Sequence, residues 1–184
     1  HQGFLSMGTD HPEDSSASEL DFRFQMAAAE ESARVGDNSL AAGFAVHRDI
    51  VRPYIVDLGT RAQHQRYLDP MASGECIGAI AMSEPGTGSD LQGIVTQARR
   101  EGDGWVLNGA KRWIGNASFA DVIVVWARDA DDGKVKAFVV EKNLDGTHPD
   151  GYTAELITGK IGKRAVWQPD ITLRNVRVPA DNKL

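Results

Sequence analysis

The chain is short of cysteine, of long apolar runs and of positive charge, and each shortage removes a class of protein. Its one cysteine, Cys76, closes no internal disulfide and is too few for a thiolate zinc site. The longest run without a polar residue, Val122 to Ala127, falls far below a membrane span, so no membrane partner is expected. Lysine and arginine number 20 against 26 aspartates and glutamates, a net charge of −6. A protein that grips phosphate backbones carries the opposite balance, so no nucleic-acid partner is expected. The opening His1-Gln2-Gly3-Phe4 lacks an initiator methionine, a cationic segment and an apolar segment. It reads as a processed end or as the edge of a longer chain. No internal repeat is found. What remains is ordinary globular composition, 41% hydrophobic and 25% charged over 184 residues, enough for one domain or two small ones.

The organisation changes once along the chain. Residues 18–73 are rich in Ala, Glu, Arg and Gln, whereas 76–184 are rich in Val, Ile, Gly and Trp. Residues 6–18 read as a polar loop. Leu20, Phe24, Ala27, Ala28 and Ser32 then share a helical stripe that Gly36-Asp37-Asn38 stops. A second helix is expected from Ser39 to Leu58, kinked or split at Pro53 and stopped by Gly59. Thr60 caps a third helix through Met71, which ends at Gly74. Beyond it, strands are expected at Ile77–Met82, Val95–Arg100, Trp105–Leu107, Lys111–Ile114, Val122–Ala127, Val135–Val140, Ile171–Leu173 and Val176–Val178. Gly102-Asp103-Gly104, Asn108-Gly109 and Asp131-Asp132-Gly133 are the turn signals between them. The fold class is therefore α+β. An N-terminal α-helical segment, 1–74, is followed by an antiparallel β-barrel-like domain, 75–184.

Two segments carry chemistry. Met82-Ser83-Glu84-Pro85-Gly86-Thr87-Gly88-Ser89-Asp90 leaves a strand as a loop with two glycines, three hydroxyls and two carboxylates. Gly86 and Gly88 permit positive φ and close backbone approach, and exposed N–H groups in such a loop form a nest for an anion. A dinucleotide fingerprint would need glycine where Leu91 stands, and a P-loop would need a lysine that the loop lacks. A plain strand-to-strand connection explains the same residues. The second segment, Lys111-Arg112-Trp113-Ile114-Gly115-Asn116, sets an indole beside a glycine, either as a flat face for a planar ring or as a core tryptophan after a hairpin.

Taken together, the two segments resemble the flavin-binding signatures of the acyl-CoA dehydrogenases. The first matches hydrophobic-Ser/Thr-Glu-Pro-x-x-Gly-Ser-Asp, and the second is similar to Lys-x-Trp-Ile-Thr-Asn. Their order, their spacing and the intervening Trp105-Val106-Leu107-Asn108-Gly109 hairpin also fit. So do Val46 to Ile55, Leu68 to Ile80, Lys160-Ile161-Gly162-Lys163-Arg164 and Val176-Arg177-Val178-Pro179. The resemblance implies an enzyme that binds FAD between the β-domain and a C-terminal helical bundle. It dehydrogenates an acyl-CoA, the β-hydride going to flavin N5 and the α-proton to a glutamate outside this chain. It implies that Met82 and Ser83 contact the pyrimidine edge of the ring and that Gly88 and Ser89 lie beside the cofactor. Ser89 also places the CoA arm; Trp113 and Ile114 pack on the ring system; Gly115 faces the N5/O4 edge. Glu84 is implied as a carboxylate that fixes the loop, not as a base.

Two departures from the family pattern matter. Relatives usually carry threonine where Gly115 stands, whereas the short-chain acyl-CoA oxidase branch resembles this chain at Arg112-Trp113-Ile114-Gly115-Asn116. The electron acceptor is thus either an electron-transfer flavoprotein or molecular oxygen. Family members are also considerably longer, so this chain is expected to be an incomplete piece without a catalytic residue of its own. The complete protein is expected to be a homo-oligomer, in the cytoplasm or alternatively the mitochondrial matrix or peroxisome. A flavin-dependent monooxygenase on the same scaffold and a non-catalytic binding module are the competing readings.

Other residues are less specific. Phe44, His47 and Val51 share a helical face and are candidates to line the acyl pocket, although the same stripe also fits plain core. His11, His64 and His148 are scattered, and no metal site is expected. Asp129, Asp131 and Asp132 read as a solvated acidic turn. Arg99-Arg100 and Lys111-Arg112 are surface charge or a steering patch for an anionic CoA. Asn116-Ala117-Ser118 matches a glycosylation sequon without a secretion signal.

Overall fold

A computed structural model describes residues 22–36 and 38–184. The polar loop read at 6–18 and the helical position assigned to Leu20 lie outside the described residues. Helix α1 spans Phe22–Arg34 and α2 spans Asn38–Phe44. The chain continues without a break through a π-helical stretch, Ala45–Val51, into α3 at Arg52–Leu58. Pro53 explains this choice. It has no N–H to return to the preceding turn, and the helix answers by widening: the Arg52 N–H reaches back five residues to the His47 carbonyl. The expected kink at Pro53 is thus absorbed upstream as a change of helical pitch. Helix α4, Arg61–Ser73, starts on a full capping box between Thr60 and Gln63 and stops at Gly74 in the left-handed region.

Seven strands follow: β1 Gly78–Ala81, β2 Gln97–Glu101, β3 Gly104–Lys111, β4 Val122–Asp129, β5 Val135–Glu141, β6 Tyr152–Leu156 and β7 Pro169–Pro179. Most pairings are antiparallel, as expected, but β1 and β2 both run parallel to β4. Since β5 occupies one edge of β4 throughout, β1 and β2 lie end to end along the other. Asn108-Gly109 does not turn the chain. It sits inside β3 at a register shift against β7. Glycine is needed there because a Cβ at 109 would lie 2.4 Å from Thr96 Oγ1 and 2.7 Å from its Cα. Ile171–Leu173 and Val176–Val178 are one strand, joined through Asn175 at φ 56°. The Lys111–Ile114 segment is the end of β3 followed by an irregular turn.

All seven strands feed one apolar core, including Ala79, Ala98, Trp105, Ile123, Phe138, Tyr152 and Leu173. Elements from both ends of the pairing order meet there, so the sheet curls on itself. Alternate residues of β4 and β5 face the opposite way. Val122, Val124, Ala137 and Val139 pack against Val51, Ile55, Tyr67, Leu68 and Met71 of the helices. The helical layer comes so close to β1 that a Cβ at Gly78 would lie 2.7 Å from Val51 Cγ1. The chain end closes the arrangement: the Gln63 amide donates to the carbonyls of Asp181 and Lys183.

Candidate functional site

The loop that leaves β1 at Met82 returns to the same edge of β4 at Gln97, only three residues further along that strand. Such an excursion must be pinned to keep a shape, and one carboxylate does most of the pinning. Glu84 accepts from the Val95 N–H (2.8 Å), the Thr96 N–H (3.0 Å) and the Lys111 ammonium (2.9 Å). Lys111 also donates to the Met82 carbonyl at 3.0 Å. The side chains of this pair are 0% and 2% exposed. Burial pushes the Glu84 carboxyl up, but hydrogen bonds from Thr96, Val95 and Lys111 outweigh it and hold the group below the ordinary carboxylate range. Burial lowers the Lys111 pKa, opposed by Glu84. Arg128 adds a second clamp, donating to the carbonyls of Ile94, Gln92 and Gly133.

The second segment joins the first directly. The Arg112 N–H donates to the Ser83 carbonyl at 2.9 Å. The chain then turns through two non-glycine residues at positive φ, Trp113 at 65° and Asn116 at 68°. For an indole this backbone is costly, and it leaves the ring 49% exposed instead of packed in the core. The turn is held by Asn116, which is 4% exposed and donates to the carbonyls of Gly43 and Gly78.

Between these segments and the helix lies a cavity of about 340 Å3. Met82, Ser83, Trp113, Ile114 and Gly115 line one wall; Ala42, Val46, Ile50 and Tyr54 line the other. A Cβ at Gly115 would approach only Val46 Cγ2, at 3.7 Å, so a larger residue there would occupy the cavity. The Ser83 hydroxyl and the N–H groups of Ser83 and Gly115 have no hydrogen-bond partner among the described residues. The wall thus offers a flat aromatic face, unused donors and an apolar opposite side, which suits a planar heteroaromatic ligand.

Five of the seven residues expected beside the ring therefore share one cavity. Gly88 and Ser89 are exposed and do not line it, and neither Gly86 nor Gly88 adopts positive φ. The expected acyl-pocket stripe is divided. Val51 is 0% exposed within the helix–sheet core and does not line the ring cavity. His47 is a bridge: the Gly78 N–H donates to its Nδ1, and its Nε2–H faces the Met71 carbonyl at 3.0 Å. With half-exposed Phe44 it borders a separate apolar cavity of about 550 Å3. The π-helical pitch is the reason, because it turns Val46, Ile50 and Tyr54 to the ring side in their place.

Two other assignments change, and the sequon stays without a role. Lys111 is buried and cannot steer a ligand in solution. Asp129 is 2% exposed and paired with Lys136, not solvated. The sequon asparagine is the buried Asn116 and cannot carry a glycan. Its role as a tie between helix, β1 and turn was missed, although an asparagine after glycine at a turn signals the left-handed region. Among the described residues no group of three His, Cys, Asp or Glu stands close enough to hold a metal, and no helix is long and apolar enough to cross a membrane.

The profile of the acyl-CoA dehydrogenase middle domain matches residues 79–176, and that of the acyl-CoA dehydrogenase N-terminal domain matches residues 2–75. Long-chain specific acyl-CoA dehydrogenase of Mus musculus is 38% identical over 144 residues, covering 78% of this chain and 34% of its own. Short-chain specific acyl-CoA dehydrogenase of Rattus norvegicus is 35% identical over 185 residues, covering 99% of this chain and 43% of its own. Both are named mitochondrial. A glutaryl-CoA dehydrogenase from Mycobacterium smegmatis, solved in complex with FADH2, superposes with a TM-score of 0.77 at 34% identity, over 87% of this chain and 39% of that one. Butyryl-CoA dehydrogenase from Megasphaera elsdenii gives a TM-score of 0.85 at 28% identity, over 99% and 47%. The chain spans well under half the length of the curated relatives it matches.

Proposed function

The chain belongs to the acyl-CoA dehydrogenase family, and from that premise we propose that it forms the flavin-bearing wall of an FAD-dependent enzyme that dehydrogenates an acyl-CoA between Cα and Cβ. The observation that carries this reading is the junction of the two signature segments. Ser83 and Trp113 line one cavity, and the Arg112–Ser83 backbone bond fixes them together. The donor set fits the isoalloxazine edge. The N–H and hydroxyl of Ser83 and the N–H of Gly115 are free to donate to ring nitrogens and carbonyls, and the Trp113 indole covers a face. When bound, FAD supplies the two-electron acceptor.

The residues of this chain bind and orient. Met82 and Ser83 hold the pyrimidine edge, Trp113 and Ile114 set the ring plane, and Gly115 leaves room beside it. Gly88 and Ser89 form the outer rim, where the exposed Ser89 hydroxyl is available to the CoA arm. Val46, Ile50 and Tyr54 replace Phe44, His47 and Val51 as the side facing the acyl chain. The base that takes the α-proton is a glutamate outside this chain. Glu84 does not line the ring cavity and its oxygens are already engaged, and no carboxylate lines that cavity among the described residues.

Electrons leave to an electron-transfer flavoprotein or to oxygen. Gly115 supports the oxidase as the second reading, since the missing side chain leaves the cavity open on that side. We place the protein in a homo-oligomer in the cytoplasm, with the mitochondrial matrix or the peroxisome as alternatives. Cys76 suits any of these, its thiol pushed up to about 12 by burial and so chemically quiet.

The test is a titration of the chain with FAD, followed by absorption and by quenching of tryptophan fluorescence. Saturable binding that weakens at least about tenfold in Trp113→Ala is expected, the size of one lost stacking contact. Absence of saturable binding in the complete protein overturns the reading. Fast reoxidation of the reduced complete enzyme by oxygen selects the oxidase, and slow reoxidation selects the dehydrogenase.

A further inference from the structure

The buried Lys111–Glu84 pair does more than hold a loop. The Lys111 ammonium donates to the Met82 carbonyl at 3.0 Å. That carbonyl and the unpaired Ser83 N–H are the two ends of one peptide group. A cation on the oxygen of an amide draws electron density from its nitrogen and makes the N–H a stronger donor, and the effect is larger in a dry interior than in water. Ser83 lines the cavity while Lys111 does not. The positive charge is thus kept out of the cavity and its influence delivered through a peptide bond.

We propose that Lys111 is a positioning residue that polarises the Met82–Ser83 peptide toward the ring ligand, with Glu84 as the counter-charge that sets how strongly it does so. The inference deepens the flavin-site reading and rests on it for the identity of the ligand. The chemistry is general: a planar ring that becomes more electron-rich on reduction is held more tightly by a stronger donor at its edge. Removing the cation therefore lowers the reduction potential, and removing the anion raises it. A purely mechanical role for the pair has no reason to give opposite signs.

The experiment has two arms, both at pH 6 so that the ammonium stays charged without its partner. In the first, the flavin-free chain is compared with Lys111→Met, Glu84→Gln and the double variant by amide proton–nitrogen correlation spectra. The Ser83 amide proton is expected to move upfield in Lys111→Met and downfield in Glu84→Gln. Should Lys111→Met alone fail to fold, the charge-neutral double variant shows the upfield shift. Movement of Ser83 in the same direction in the variants with and without Lys111, or no movement, overturns the inference. In the second arm, the potential of bound FAD is expected to fall by about 30 mV in Lys111→Met, which is a tenfold change in relative affinity for a two-electron couple, and to rise in Glu84→Gln. If the complete protein binds no FAD, the flavin reading fails while the first arm still decides the role of Lys111. If FAD binds and Ser83 is unmoved, the polarising role fails and the flavin reading stands.

Discussion

The two walls of the ring cavity are built by different physics. The wall of Met82, Ser83 and Trp113 to Asn116 is polar and over-determined, with a buried ion pair, an inter-segment backbone bond and an asparagine tie converging on it. The wall of Ala42, Val46, Ile50 and Tyr54 is apolar and depends on helical phase alone. A polar wall fixed by specific bonds tolerates few changes and recurs as a motif, whereas an apolar wall set by pitch and packing admits many sequences. On the function proposed above, the first would recognise the cofactor and the second would be free to follow the substrate.

Breaking the polar wall has the largest expected effect. Lys111→Ala leaves Glu84 buried and without its cation, and should cost about 3–5 kcal/mol in urea unfolding. Asn116→Ala comes next, at about 2 kcal/mol, because the carbonyls of Gly43 and Gly78 lose their donor; FAD affinity should drop with it in the same titration. On the helix, Val51→Ala should cost up to about 2 kcal/mol from the cavity it leaves, with FAD affinity unchanged. Ile50→Trp is the counterpart: stability within about 0.5 kcal/mol, because the side chain is 40% exposed, but an altered chain-length preference in the complete enzyme. The smallest effect is one of pH. Burial holds the His47 imidazole below its ordinary value, opposed by its bond to the Met71 carbonyl. The neutral ring accepts the Gly78 N–H, so its contribution to stability is complete above the unfolded histidine value of about 6.5 and is lost as pH falls below it. Thermal midpoints against pH should show this decline, and His47→Gln should flatten it.

The same contrast governs what could be read from the residues in order. Local signals were legible: the Thr60–Gln63 cap, the Gly74 stop and the two-sided burial of Val122 to Ala127 all appear where the pattern places them. The polar wall was legible as well, since its elements are contiguous motifs. Long-range facts were not. Asn108-Gly109 carries a strong turn signal, yet it lies inside strand β3 at a register shift, where Thr96 approaches too closely for a side chain at 109. Strand β6 alternates apolar and polar residues over only five positions and was not anticipated, and parallel pairing of β1 and β2 with β4 leaves no local trace. A break in the Ser39 to Leu58 helix was expected at Pro53 but not a change of pitch before it, and seven residues of π-helix were enough to exchange the face at Val51 for the face at Ile50. Lys111 reads as surface charge because a lysine usually is one; only its two acceptors show otherwise.

The central claim is that Ser83, Trp113 and Gly115 hold one planar ring together. Amide and indole resonances of the chain, followed during addition of FAD, test it most directly. The account predicts that the Ser83 and Gly115 amides and the Trp113 indole N–H shift with a single binding curve, while the Gly102 hairpin stays unmoved. Shifts confined to one of the two segments, or spread over the hairpin, would contradict it.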